Sequence, residues 1–439
     1  MFNPVSEPSF RLDVAGLPDS FEVLAFTGKE AISEPFVFDL ELLIDDPVLD
    51  LASLLYRPAS LHFGPAGNCV HGQLHELVQR DHASGPRLCQ VRLGPKLACL
   101  AQRFSQRIFS ALSVPQILDR VLKEHGITGK DRRLALSGEY PPRDFCTQYR
   151  ESDLQFLQRL CAQERLHYHF EHRARGHCVV FGDDHQHFPT GEPAVLRSEG
   201  DWPEVRQFER QHCGGTAAQS AECRTDLMTL RSGWLMPLSG HPVAECNRLW
   251  LLTHIEHWGG QDTATPYHNQ ARALQWPTPF APPCVTVKPQ MHSLQRAWVV
   301  EVDEPGPDPA RPVPVQFDWL YQGEGAAPSH CWLPLSRQLQ ASTFLPLREG
   351  TELVVGFVEG DPDQPQIIGL LHAPATVEVT APDTPQPGCA PDEGLEQWLR
   401  SGEPLLVLCL LPGGGSFNHC AQALCTCRLA TQLGQSSGA

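Results

Sequence analysis

Apolar and polar positions alternate with period two over much of this chain, the spacing of half-buried β-strands rather than of helices. From Phe21 the run Phe-Glu-Val-Leu-Ala-Phe leads through Ser33-Glu-Pro35 into a stretch where Phe36, Phe38, Leu40 and Leu42 share one side of an extended strand. Short apolar runs at 60–63, 74–78 and 88–93, separated by Pro, Gly, Asn and Asp, continue an antiparallel sheet or barrel. Two helical patterns interrupt it, near 113–125 and 152–164. In the first, Ser113 supplies a cap, Pro115 sits in the opening turn, Ile117, Leu118, Val121 and Leu122 form the apolar stripe, and Gly126 stops the helix. The second starts at Ser152 and carries Leu154, Phe156, Leu157, Leu160 and Cys161 at helical spacing. Strand patterning resumes at 166–172, where Leu166, Tyr168 and Phe170 oppose His167, His169 and Glu171; residues 190–226 have no clear period, and 227–273 returns to strand-like runs.

The proline-rich stretch Trp276-Pro-Thr-Pro-Phe-Ala-Pro-Pro283 is the best domain boundary. Runs at 296–300, 313–319 and 331–335 and a hairpin over 350–371 follow it. Within the hairpin Leu353, Val355 and Phe357 fall on one face, Val354 and Val358 on the other, and Glu359-Gly-Asp-Pro-Asp-Gln-Pro365 makes the turn. Five strands in so short a segment match a small Greek-key barrel of OB type. The predicted organisation is a mainly β region with two inserted helices over 1–290, a C-terminal five-stranded OB-fold barrel over 291–373, a Pro-rich linker over 374–391 and a short Cys-rich tail over 392–439. The prolines of Ala310-Arg-Pro-Val-Pro314 predict that the strand they begin lies at a sheet edge or carries a bulge, since proline cannot donate to the ladder.

A chain of 439 residues calls for two or three domains, and 41% hydrophobic residues suffice for real cores. Forty prolines and thirty-five glycines suit a β-rich protein with many reversals. A formal net charge of −17 with only five lysines argues against nucleic-acid binding, which needs a cationic surplus. The start of the chain has neither a basic region nor an apolar core, so no cleavable secretion signal is expected and the chain is cytoplasmic after synthesis. The longest apolar run, Leu405 to Leu411, is far short of a bilayer span, so no stable membrane anchor is expected. Eleven of the sixteen cysteines, from Cys69 to Cys331, are spread singly, as buried thiols of a reducing compartment are.

The wording Val-Gly-Phe-Val-Glu-Gly-Asp-Pro-Asp-Gln-Pro-Gln-Ile-Ile-Gly over 355–369 resembles the hairpin that ends the OB-fold of the VgrG family, the tip proteins of the type VI secretion system. The stretch Gln148-Tyr-Arg-Glu-Ser-Asp-Leu-Gln-Phe-Leu-Gln-Arg-Leu160 with Tyr168-His-Phe-Glu-His172 is similar to that family's most recognisable internal segment. Glu30 to Phe38, Leu238-Ser-Gly-His-Pro242, Thr253-His-Ile-Glu-His257 and Pro279-Phe-Ala-Pro-Pro283 follow the family's order. The resemblance covers about 10–373. It implies a phage-tail hub region of β-barrels followed by the OB-fold, assembled as a homotrimer on the Hcp tube ring and ejected to puncture target cells and deliver effectors. It also implies secretion through the type VI system without a signal peptide. In better-known members a β-helix needle follows the OB-fold and a PAAR protein caps it. Here no periodic repeat of that kind follows Ala373, so PAAR docking is left open. The tail, with a helix-like Asp392 to Arg400 and the apolar Leu405 to Leu411, is the segment that would dock an effector or adaptor.

Candidate chemistry is sparse. Cys409, Cys420, Cys425 and Cys427, with His419 as an alternative ligand, are the only set with zinc-like spacing, and a C-x₄-C-x-C beside a histidine falls short of two C-x₂-C knuckles. Free thiols are the simpler reading; a zinc-stabilised effector or toxin module carried by the spike is the alternative. His167 and His169 share a strand face, for which solvent exposure is a simpler account than a metal. Glu359, Asp361 and Asp363 are explained by turn chemistry. No nucleophile elbow, zinc-hydrolase helix or catalytic cysteine signature is present, so neither catalytic nor cofactor-binding residues are assigned and no enzyme is expected.

Overall fold

A computed structural model describes residues 10–372, apart from 47, 66, 81–86, 174–175, 198–202, 212–219, 262–265, 283–286, 304–305, 307, 321–329 and 341–346. The chain is mainly β, as its period-two patterning predicts. The linker expected over 374–391 and the Cys-rich tail expected over 392–439, with Cys409, His419, Cys420, Cys425 and Cys427, lie outside the described residues. Two compact units form. Among the described residues, one comprises 10–105, 112–143 and 151–288, and the other comprises 106–111, 144–150 and 289–372.

The first unit is built on a six-stranded barrel. Around it run the strands Phe10–Val14, Pro58–Phe63, Cys69–Arg80, Arg87–Gly94, Val37–Ile44 and Phe21–Ala31, and antiparallel pairing of Arg11 with Glu22 and Leu12 with Phe21 closes the ring. Alternation decides its interior: Phe10, Leu12, Phe38, Leu40, Leu42, Leu61, Phe63, Leu74 and Leu93 are buried, while intervening residues such as Asp39 and Arg92 are exposed. Phe26 packs edge-on against Phe10 at 5.2 Å and tilted against Phe63 at 5.2 Å, a geometry aromatic rings favour. Strand Phe21–Ala31 also pairs with Leu249–Gly260, so the sheet runs on through Tyr267–Gln275, Ser220–Thr225 and Val205–Gln211. That extension has its own core around Trp250, Phe208, Met236 and Ala273.

Helix α1, Val114–Glu124, opens with a capping box in which Ser113 and Gln116 satisfy each other's end of the first turn. Ile117, Leu118, Val121 and Leu122 are fully buried, and Gly126 ends the turn at φ +66°, where a side chain would be strained. Helix α2, Asp153–Gln163, repeats the device with Ser152 and Gln155 and packs on α1. Beside them Arg132–Ala135, Gly176–Gly182 and His167–Arg173 form a three-stranded sheet.

In the second unit five strands lie in the order Cys331–Leu333, Val313–Phe317, Gln295–Val299, Glu352–Phe357, Pro365–His372. A parallel bridge from Leu335 to Ile367 joins the two outer strands, around a core of Val299, Val315, Phe317, Leu333, Leu353, Val355 and Ile367. One expectation is corrected here: Val313–Phe317 is not an edge strand, because it pairs on both sides. The Pro314 carbonyl accepts from Val300 N at 3.1 Å, just past the last ladder pair, Val299 with Val315. In an antiparallel strand a residue's N–H points to the same side as its C=O, so the donor that Pro314 lacks falls where the ladder has already ended.

Candidate functional site

Two polar assemblies stand out from these cores, one in each unit. In the first unit Glu30 sits in phase with Phe26 on its strand, and His257 in phase with Ile255 on the neighbouring one, so both side chains are carried into the interior. His257 is fully buried and Glu30 is 5% exposed. His257 Nε2 lies 3.3 Å from Glu30 Oε1, and Arg231 Nε lies 3.9 Å from the same oxygen. Ser232 N donates to Glu30 Oε2 at 3.3 Å.

On the other side of the imidazole, Tyr267 Oη is 2.7 Å from His257 Nδ1 and accepts from Asn269 Nδ2 at 3.0 Å. Because the ionised Glu30 carboxylate can only accept, the imidazole proton belongs on Nε2, facing it, which leaves Nδ1 to accept from the Tyr267 hydroxyl. Asn269, Tyr267 and His257 thus form a hydrogen-bonded relay whose donors point the same way, toward the Glu30 carboxylate 3.3 Å from Nε2. Burial pushes the Glu30 carboxyl up, but Arg231 and His257 override it and hold the group down at about 2. Burial holds His257 below its ordinary range even with Glu30 beside it, so the imidazole is neutral near pH 7.

Arg231 anchors the loop in which it lies. Its guanidinium donates to Asn68 Oδ1 at 2.7 Å, to Leu230 O at 2.7 Å and to Met228 O at 3.2 Å, and sits 5.3 Å above the Phe63 ring. Asn68 in turn donates to Phe63 O and Met228 O. The loop from Asp226 to Trp234 is thereby fastened across the barrel by one buried charge pair. Breaking a buried pair of this kind costs about 3–5 kcal/mol.

In the second unit the hairpin turn does more than reverse the chain. Asp361 Oδ1 accepts from Asp363 N at 2.9 Å, which closes the turn. Asp363 Oδ1 then accepts from Thr147 N at 2.6 Å, and Thr147 Oγ1 donates to Pro362 O at 2.8 Å. The carboxylate cluster read from sequence as turn chemistry is therefore also a clamp on a segment more than two hundred residues earlier. Phe145, from the same segment, completes the five-stranded core.

The exposed strand face expected for His167 and His169 does not form. They are 3% and 1% exposed, because Phe188 stacks on the His167 ring at 4.5 Å and the backbone at Gly233 closes on His169. Burial lowers both imidazoles to about 4. Among the described residues no group of three or more His, Cys, Asp or Glu side chains is placed to hold a metal. Nor is any helix among them long and apolar enough to cross a membrane.

Residues 29–214 match the family described as the phage tail baseplate hub (GPD). Two spike proteins of the type VI secretion system from Pseudomonas aeruginosa, VgrG4b and VgrG5, are each 35% identical over 85% of this chain. The chain belongs to the VgrG spike family. It spans 57% and 58% of the lengths of these two relatives. An E. coli type VI secretion component, described as structurally similar to the bacteriophage T4 tail proteins gp27 and gp5, shares the fold with a TM-score of 0.69 at 22% identity, covering 82% of this chain and 99% of its own. A chain of the Francisella PdpA-VgrG complex shares it with a TM-score of 0.56 at 8% identity, over 88% of this chain and 80% of its own.

The residues that organise the barrel of this VgrG-family chain were not singled out by sequence reasoning. Glu30 and Thr253-His-Ile-Glu-His257 served only as markers of resemblance, and Arg231, Tyr267 and Asn269 were missed. A signal was present: Glu30 and His257 occupy positions whose strand phase is otherwise apolar, and a charge in a buried phase needs a buried partner.

Proposed function

We propose that this chain is a structural, non-catalytic spike subunit of a type VI secretion system. In this reading the barrel region is the hub, three copies of which assemble on the terminal ring of the Hcp tube. The five-stranded unit is the OB-fold at the base of the spike, and the tail beyond the linker receives an effector or adaptor. The protein accumulates in the cytoplasm and leaves with the contracting sheath. The observation that carries the reading is VgrG-family membership of a chain whose closed six-stranded barrel is succeeded by a five-stranded unit. The Francisella complex with PdpA supports a spike that binds a second protein. Epitope-tagged protein is expected in the medium of cells with a working sheath and to be missing from the medium of sheath-deficient cells. Equal export from both strains would refute the proposal.

A further inference from the structure

On the outside of the barrel, three side chains from two paired strands form a cluster that the spike role does not use. Ser60 lies directly opposite His71 in the ladder, and Cys69 precedes His71 by two residues, so all three point to the same face. Cys69 Sγ is 3.1 Å from His71 Nε2, and Ser60 Oγ is 2.6 Å from His71 Nδ1. The ring is buried, with 9% exposed, and its backbone N–H donates to His172 Nδ1 at 3.0 Å, so its place is fixed. Cys69 itself is only partly buried. A cleft lined by Asp13, Ser60, His71, Lys96, Phe170 and His177 opens beside the imidazole, while Cys69 lies outside its lining.

The protonation pattern follows from the surroundings. Burial pushes the Cys69 thiol up and outweighs Arg231, while Asp13 pushes in the same direction as burial. Burial and the nearby His62 lower His71. The resting pair is therefore a neutral thiol beside a neutral imidazole, and in the tautomer that gives Nδ1–H to Ser60 Oγ the Nε2 lone pair is aimed at sulfur. This is the arrangement of a nucleophile, its base and the group that orients the base.

We propose that Cys69 is a modification site, reacting with low-molecular-weight disulfides by thiol–disulfide exchange with His71 as the proton acceptor. The Sγ proton passes to His71 Nε2, and the thiolate attacks one sulfur of the disulfide. The S–S bond breaks, and the departing thiolate takes the proton back from Nε2. The products are a mixed disulfide on Cys69 and one free thiol, so that the cysteine is oxidised and half of the reagent reduced. Among the described cysteines the useful comparison is Cys99, also partly exposed, whose sulfur accepts from Gln73 Nε2 at 2.9 Å and lies 3.9 Å from His75 Nδ1. The other seven described cysteines are buried.

The test incubates the full-length protein with glutathione disulfide and follows each cysteine by peptide mapping. Cys69 is expected to be modified at least about tenfold faster than Cys99, since a positioned base contributes about 10²-fold or more. Its rate is expected to be level between pH 7 and 8, because proton transfer inside the pair does not depend on bulk pH, whereas an isolated thiol gains nearly tenfold per pH unit. His71→Gln should slow Cys69 at least tenfold and leave Cys99 unchanged. Should that variant fail to fold, Ser60→Ala, which only frees the ring, should slow Cys69 several-fold. Equal rates at Cys69 and Cys99 in the unmodified sequence, or a tenfold rise per pH unit at Cys69, would overturn the assignment.

Discussion

Replacing Glu30 by glutamine keeps the shape of the side chain and removes the charge that Arg231 and His257 face. Both members of the charged pair are almost fully buried, the Glu30 side chain 5% exposed and that of Arg231 6%. A carboxyl held at about 2 against an ordinary 4.5 corresponds to about 3 kcal/mol of stabilisation, at about 1.4 kcal/mol for each tenfold change in proton affinity. The figure agrees with the lower end of the cost of leaving one buried charge without its partner. In a unit of this size such a loss lowers the melting temperature by roughly 6–12 °C. Because the folded-state value is depressed, the contribution is complete above about 4.5 and is lost as pH falls toward 2. The assay is urea unfolding at pH 7 and again near pH 3, with Glu256→Gln as control: that side chain is on the neighbouring strand, next to His257, but 45% exposed. The control should stay within about 0.5 kcal/mol of the unmodified sequence. The reasoning is refuted if Glu30→Gln costs less than about 1 kcal/mol at pH 7, or if its deficit does not shrink at pH 3.

Three further outcomes are expected. Asp363→Ala removes the acceptor of Thr147 N–H and should destabilise the five-stranded unit by about 1–3 kcal/mol, read as a lower denaturant midpoint with no change in barrel unfolding. Gly233→Ala places a Cβ 2.5 Å from His169 Cβ at φ +76°, and should cost more than about 2 kcal/mol in thermal unfolding. His167, His169 and His177 are held near 4 by burial while the unfolded chain protonates them near 6.5, so the unfolded state binds more protons and stability should fall steadily from pH 6.5 to 4; a flat urea midpoint over that range would contradict it.

Much of the mainly β architecture was legible because one physical quantity, the phase of apolar residues, sets both strand position and core membership. Phe38, Leu40 and Leu42 alternate in the sequence and are buried in the barrel. The stripe and cap of α1 were legible for a similar reason: Ser113, Pro115 and Gly126 act locally, and no distant partner is needed to interpret them. What escaped was non-local. That His167 and His169 are covered depends on Phe188 and Gly233, which only the fold brings near. Pro314 read as an edge signal because the sequence does not reveal where the neighbouring ladder ends. The clamp between Asp363 and Thr147 was invisible since Asp in a turn has a sufficient local explanation. Of the buried centre, the misplaced charges of Glu30 and His257 could have been noticed, but their pairing with Arg231 could not.

The central claim is that this chain forms the symmetric hub of a secretion spike, and solution mass tests it most directly. Light scattering on the purified protein should give three times the 48.7 kDa chain mass, or, once Hcp rings are added, a complex that holds three chains per ring. A particle that stays at 48.7 kDa at every concentration, with and without Hcp, would contradict the account.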